Sequence, residues 1–231
     1  MRRLAAALLG VLLGAGPAWA EGPLPPGAVA DYQLGGGYPP APGVTVVVRD
    51  STDTPTPGLY NICYVNGFQT QPGADWPEAL LLRGPVAAPL ADPGWPDEFL
   101  LDISTPDLMA ANLKRLRPAL QACADKGFDA VEFRSGGRLD EGDALAFAAL
   151  LVKAARDLGL AAGQKNTAEL AAEGRDRAGF TFAVTEACHR WDDCAAFTSV
   201  YGAGQVLGIE YADDLRGSFA ETCANPDRPE A

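Results

Sequence analysis

The sequence is poor in the residues on which most metal and nucleophilic centres are built. It has one histidine, His189, and its five cysteines form no CxxC pair. A zinc-type centre of histidines and cysteines is therefore not expected, and no metal is assigned. The chain has neither a glycine fingerprint for a phosphate nor a GxSxG turn for a serine hydrolase, so no cofactor is expected either. Beyond residue 20 no apolar run approaches the roughly 20 residues of a membrane helix, which argues against membrane insertion. Basic residues are scarce as well: 18 Lys and Arg face 30 Asp and Glu, for a formal net charge of −12. Such a surface disfavours nucleic acid and anionic membranes as partners and suits an uncharged or cationic ligand.

What is present begins with a leader. Residues 1–20 run from Arg2 and Arg3 through "LAAALLGVLLGAG" to "AWA", which reads as a secretory signal peptide. The mature chain is expected in the periplasm or the medium, as a monomer. A Pro-rich lead-in at 21–30, a single domain at 31–223 and a short tail at 224–231 account for the rest. Met109, Leu113, Leu116, Leu120 and Cys123 repeat at helical spacing, and Cys63 lies within the strand-like "YNICYV", so both cysteines read as core thiols. Cys188, Cys194 and Cys223 cluster late in the chain, and an oxidising compartment favours one bridge, most simply Cys188 to Cys194.

Eight apolar runs have strand character: 31–35, 44–50, 59–67, 98–104, 128–134, 160–166, 180–186 and 206–211. From residue 106 onward helical patterns separate them, such as Leu145, Ala148, Val152, Ala155 and Leu158. Alternation of strand and helix predicts a parallel sheet covered on both faces, and eight strands predict closure into a (β/α)8 barrel, compact or irregular because no good helix separates the first two. A doubly wound open sheet is the rival. Pro118 is expected to kink or restart the helix that contains it. The connection from 67 to 97 holds six prolines with Trp76 and Trp95, either of which suits a sugar face but more simply anchors its own loop.

The polar residues that finish these runs carry the chemistry. They are Asp50, Asn66, Asp102, Glu132, Lys165 with Asn166, Glu186, and Glu210 followed by Tyr211. In a parallel barrel all strand C-termini open on one face, so these residues converge on one pocket. Glu132, Glu186 and Glu210 are poor helix caps set in apolar sequence, and a buried carboxylate needs a partner, for which Lys165 and Arg134 are the nearest candidates. Several carboxylates with a lysine and an asparagine, and no cofactor motif, are what glycosidic bond cleavage requires: one acid protonates the leaving oxygen and an ionised one attacks the anomeric carbon or activates water.

"DYQLGG", "DSTDTP", "ICYVNG", "WPDEFLLDIS", "KGFDAVE", "GQKN", "FAVTEAC" and "IEY" occur in an order and spacing that resemble glycoside hydrolase family 114, the endo-α-1,4-polygalactosaminidases. The resemblance spans about residues 31–212. It implies a (β/α)8-type barrel acting on α-1,4-linked galactosamine or N-acetylgalactosamine polysaccharide, exported to where exopolysaccharide is handled. It also implies Glu186 as general acid; the strand-end reading then leaves Glu132 or Asp50 as candidate nucleophile, with Asp102, Arg134, Lys165, Asn166, Glu210, Tyr211 and Asn66 around the sugar. Two positions depart from the family pattern. Val48 replaces an early aspartate, and Arg134 stands where the family has its proposed nucleophile. A barrel that binds glycan without cleaving it is the alternative.

Overall fold

The computed structural model describes residues 23–134 and 139–230. The expected signal peptide at 1–20 and the side chain of Arg134 lie outside the described residues. Seven parallel strands form one nearly closed barrel: β1 (Ala30–Gln33), β2 (Val46–Asp50), β3 (Tyr60–Val65), β6 (Ala130–Arg134), β7 (Ala161–Lys165), β8 (Phe182–Glu186) and β9 (Val206–Ile209), hydrogen-bonded in that order. The order follows the sequence without reversal, which excludes the doubly wound alternative. Two short strands, β4 (Ala91–Asp92) and β5 (Trp95–Phe99), make a separate antiparallel ribbon.

The count of barrel strands is a correction. The run at 98–104 does not enter the barrel, because its first residues pair with β4 and Leu100 and Leu101 form antiparallel bridges to Gln69 and Leu81. The chain passes from β3 to β6 without an intervening barrel strand, and those two pair directly. The segment from 66 to 104 folds outward as a lobe on the barrel.

Helices cover the outside. They are α1 (Pro106–Lys126), α2 (Glu141–Asp157), the short α3 (Ala171–Glu173), α4 (Cys188–Trp191), α5 (Cys194–Tyr201) and α6 (Phe219–Ala224). Thr105 caps α1 through Leu108 N, Pro106 opens it, and Gly127 ends it in the left-handed conformation that glycine tolerates best. Pro118 stands inside this single helix, so the expected restart does not occur. None of the described helices is long and apolar enough to cross a membrane.

Both faces of the sheet are buried, as β-branched runs such as Val46–Val48 require of parallel strands. Inside, Val46, Val48, Ile62, Ala130, Phe182, Val184 and Leu207 fill the barrel. Gly163 is needed there, since a Cβ at this position would overlap the Phe182 ring. Outside, Val131 and Phe133 pack with Leu116, Leu120, Phe147 and Leu151 from α1 and α2. Between β1 and β9 the described strands do not pair. Leu24 seals the bottom of the barrel: its N–H and C=O bond the Gln205 side chain at 3.1 and 3.2 Å, and its own side chain joins the interior cluster. The stretch expected as a lead-in thus contributes core residues, Leu24 and Ala28.

The two cysteines expected as core thiols are buried but bonded. Cys63 of β3 and Cys123 of α1 form a disulfide across 60 residues. Cys188 and Cys194 form the second bridge, as anticipated, and Cys223 is free.

Candidate active site

At the barrel mouth, Glu186 ends β8 and Lys165 ends β7. The Lys165 ammonium lies 3.5 Å from Glu186 Oε1 and 3.8 Å from Glu132 Oε1, with only 4% of its side chain exposed. Glu186 is the accessible partner, 33% exposed. Tyr211 donates its hydroxyl to Glu186 Oε1 at 2.7 Å, and Asn166 donates Nδ2 to Oε2 at 2.9 Å. Asn166 Oδ1 accepts in return from the Glu186 N–H at 2.8 Å. Burial alone would raise the Glu186 pKa. The Lys165 charge and the hydrogen bonds from Tyr211, Asn166 and Lys165 outweigh it and hold the carboxyl below its usual range. Glu186 therefore rests as an anion.

Glu132 behaves in the opposite way. Its side chain is 0% exposed, and burial lifts its pKa despite Lys165 and a hydrogen bond from the Tyr32 hydroxyl. Tyr32 in turn accepts from Lys165 Nζ at 2.6 Å and donates to Glu132 Oε1, so one phenol bridges cation and acid. The ammonium also lies over the Tyr32 and Tyr64 rings, at 4.6 and 5.7 Å from their centroids. Among the described residues Glu132 Oε2 has no hydrogen-bond partner. Glu132, expected as a candidate nucleophile, is thus enclosed beneath the cleft, where it holds Lys165 and Tyr32.

The cleft above these residues has a volume of about 530 Å³ and is lined by Asp50, Glu98, Glu186, Lys165, Tyr32, Tyr64, Trp95 and Tyr211, among others. A second lobe of about 370 Å³ continues past Glu186 and Tyr211 to Asn166, Trp191, Asp193 and Asp214. Asp50 turns one oxygen to Thr52, accepting from its N–H at 2.8 Å and its hydroxyl at 2.7 Å. Trp95 is 51% exposed and walls the first lobe. Trp76 instead anchors its loop, donating Nε1 to Asn112 of α1 at 2.9 Å.

Glu98 is a cleft acid that the sequence reading missed. Its Oε2 accepts from Asn66 Nδ2 at 3.1 Å and from Gln69 Nε2. Asn66 therefore orients an acid from below and does not line the cleft. Asp102 does not reach the cleft either; it closes the turn into α1 by accepting from Ser104 N at 3.0 Å and Ser104 Oγ at 2.6 Å. Glu210 accepts from the His189 N–H in the first turn of α4 at 2.8 Å. It lies near Cys188 and Cys194, but their sulfurs are joined in the disulfide and do not offer metal ligands. Arg134 pairs at its backbone with Lys165 at the end of β6.

Backbone strain is concentrated at this rim. Asn166, Thr167 and Ala187 take left-handed φ values of 55°, 64° and 56°, which non-glycine residues adopt only where the surroundings hold them.

No curated protein matches the sequence significantly. Among solved structures, Ega3 of Aspergillus fumigatus, crystallised with galactosamine, superposes with a TM-score of 0.70 at 19% identity, over 91% of this chain and 88% of that one. The likeness establishes the shared barrel. The GH36 α-galactosidase AgaA of Geobacillus stearothermophilus reaches a TM-score of 0.44 at 12% identity, over 71% of this chain and 30% of that one. A D-psicose 3-epimerase reaches 0.43 at 12% identity, over 73% and 62%. The family model for glycoside-hydrolase family GH114 matches residues 14–231, and the chain belongs to that family.

Proposed function

We propose that the protein is an exported glycoside hydrolase acting on α-1,4-linked galactosamine or N-acetylgalactosamine polysaccharide, with Glu186 as its central carboxylate. One observation carries the reading: Glu186 is an accessible anion where the two lobes of the cleft meet, gripped by Lys165, Tyr211 and Asn166. Membership in the family and the fold shared with a galactosamine-bound protein support the substrate class. The acidic cleft suits a cationic polymer, and Trp95 and Trp191 offer exposed aromatic faces for sugar rings. Two disulfides suit an oxidising compartment, either periplasm or medium.

The environment of Glu186 favours an anionic role, as base or nucleophile. Proton delivery to the leaving oxygen then falls to a second cleft acid, Asp50 or Glu98. This reverses the assignment implied by family resemblance. A second reading, a barrel that binds the polymer without cleaving it, is favoured by the enclosure of Glu132 together with the arginine at the proposed nucleophile position. Incubating the mature protein with α-1,4-galactosamine polymer separates the two. Release of oligosaccharides that disappears in Glu186→Gln supports hydrolysis, saturable binding without release supports the second reading, and neither binding nor release overturns both.

A further inference from the structure

Gln164 precedes Lys165 in β7, so strand alternation turns its side chain away from the barrel axis and toward the helical layer. It is 4% exposed. Its Nε2 donates to two successive carbonyl oxygens, those of Asn166 and Thr167, each at 2.9 Å. Its Oε1 accepts from the Tyr201 hydroxyl at 2.8 Å, which fixes which end of the amide faces the strand. The carbonyls it holds belong to the left-handed pair at the rim of the site. Two such residues in succession are uncommon, and they persist where neighbours hold them in place.

The surrounding fold makes room for this arrangement. After α3 the chain widens into a π-helical turn, Gly174–Ala178. A Cβ on Gly174 would overlap Gln164 Oε1, so any larger residue there would displace the amide from this position. π-turns are uncommon and often sit beside functional sites. A buried amide satisfied at both ends and aimed at strained backbone does more than fill space.

We propose that Gln164 is a positioning residue for Glu186. By holding the carbonyls of Asn166 and Thr167 it fixes the Asn166 amide, which donates to the Glu186 carboxylate and accepts from the Glu186 N–H, orienting that side chain in the cleft. Gln164 touches neither ligand nor reacting atoms and acts only through Asn166. The inference rests on the reading of Glu186 as the reacting group.

The test is a carboxyl-carbon NMR titration of Glu186 in the full mature chain, which reads the residue whether or not the protein turns over polymer. In Gln164→Met, of similar length but without the amide, Glu186 should titrate at a higher pH than in the wild type. Asn166→Ala should give the same upward move, and the double variant should move no further. Where polymer is cleaved, Gln164→Met should lower kcat about tenfold with little change in KM, the scale of one charge-assisted hydrogen bond. A folded Gln164→Met protein whose Glu186 titrates as in the wild type overturns the proposal, and so does an additive double variant. If Gln164→Met does not fold, Tyr201→Phe gives the second measurement, since it removes only the hydroxyl that orients the amide. A smaller upward move is expected, and none overturns the idea. Absence of cleavage in the wild type with these titration results intact would count against the hydrolase reading and not against the role of Gln164.

Discussion

Lys165 Nζ stands 3.5 Å from Glu186 Oε1, and this contact sets the charge of the central carboxylate in the cleft. The same ammonium is 3.8 Å from the enclosed Glu132, so one cation serves an acid that lines the cleft and an acid that does not. Lys165→Met should let burial dominate at Glu186, which would then titrate above its ordinary value. It also leaves Glu132 without its cation. Breaking a buried ion pair on one side costs about 3 kcal/mol or more, and urea unfolding at neutral pH should show a loss of that order. An unchanged Glu186 titration would contradict this account.

The two acids have opposite linkage to pH. Burial raises the Glu132 pKa in the folded state, so its contribution to stability is full below its unfolded value and is lost as pH rises through the folded value. Glu186 is lowered, so its contribution is present above its unfolded value and is lost as pH falls through the folded one. Glu132→Gln should therefore remove the decline in stability on the neutral side and leave the acid-side decline in place. Urea midpoints measured from pH 3 to 8 in wild type and variant check this. A neutral-side decline that persists in the variant would assign it to another group.

How far the sequence reached is clearest at two strands. β6 was legible as a strand delivering a buried acid, with Lys165 and Arg134 as its candidate partners, because a glutamate within apolar strand sequence has few alternatives. The run at 98–104 was not legible as a separate ribbon, since short apolar runs look alike whether they enter a parallel barrel or bridge antiparallel to a loop. Reading its last polar residue pointed to Asp102, whereas the acid that reaches the cleft is Glu98, at the start of the run. Tyr32 was hidden for a related reason: in "DYQLG" it supports a strand, and its link to Glu132, 100 residues away, exists only after the barrel closes.

The two tryptophans of the long connection should separate in their effects. Trp95→Ala removes an exposed cleft wall and should weaken polymer binding about fivefold, the scale of an aromatic contact, with little change in stability. Trp76→Ala removes a side chain packed on the α1 cluster and its bond to Asn112, and should cost about 3 kcal/mol of stability. Isothermal titration with polymer fragments and thermal unfolding read the two separately. Equal effects on binding would contradict the division.

The Cys63–Cys123 bridge ties the strand before the outward lobe to the helix after it, closing a loop of 60 residues. By loop-closure entropy such a link contributes about 4 kcal/mol, against about 2 kcal/mol for the six-residue separation of Cys188 and Cys194. Replacing the first pair with alanines should lower the unfolding midpoint more than replacing the second. The reverse order would mean that the lobe holds β3 to α1 without the bridge. Cys188 follows directly on Glu186 and Ala187, so replacing the second bridge should be felt more in ligand binding.

Tyr211 gives the last and most direct test of how the cleft sets its charge. Its hydroxyl donates to Glu186 Oε1 at 2.7 Å, and burial together with the Glu186 anion pushes its own pKa up to about 12. It therefore remains a donor throughout the working range and should contribute nothing to an alkaline limb. Its effect belongs on the acid side, where the hydrogen bond keeps Glu186 ionised at lower pH than burial would allow. Tyr211→Phe should move the acid limb of binding or turnover to higher pH and weaken the response at neutral pH by about three- to tenfold, since the bond is partly open to solvent. Because Lys165 and Asn166 still hold the carboxylate, the move should be smaller than that of Lys165→Met. A variant with an unmoved acid limb and an altered alkaline one would mean that Tyr211 acts on the ligand itself and not through Glu186.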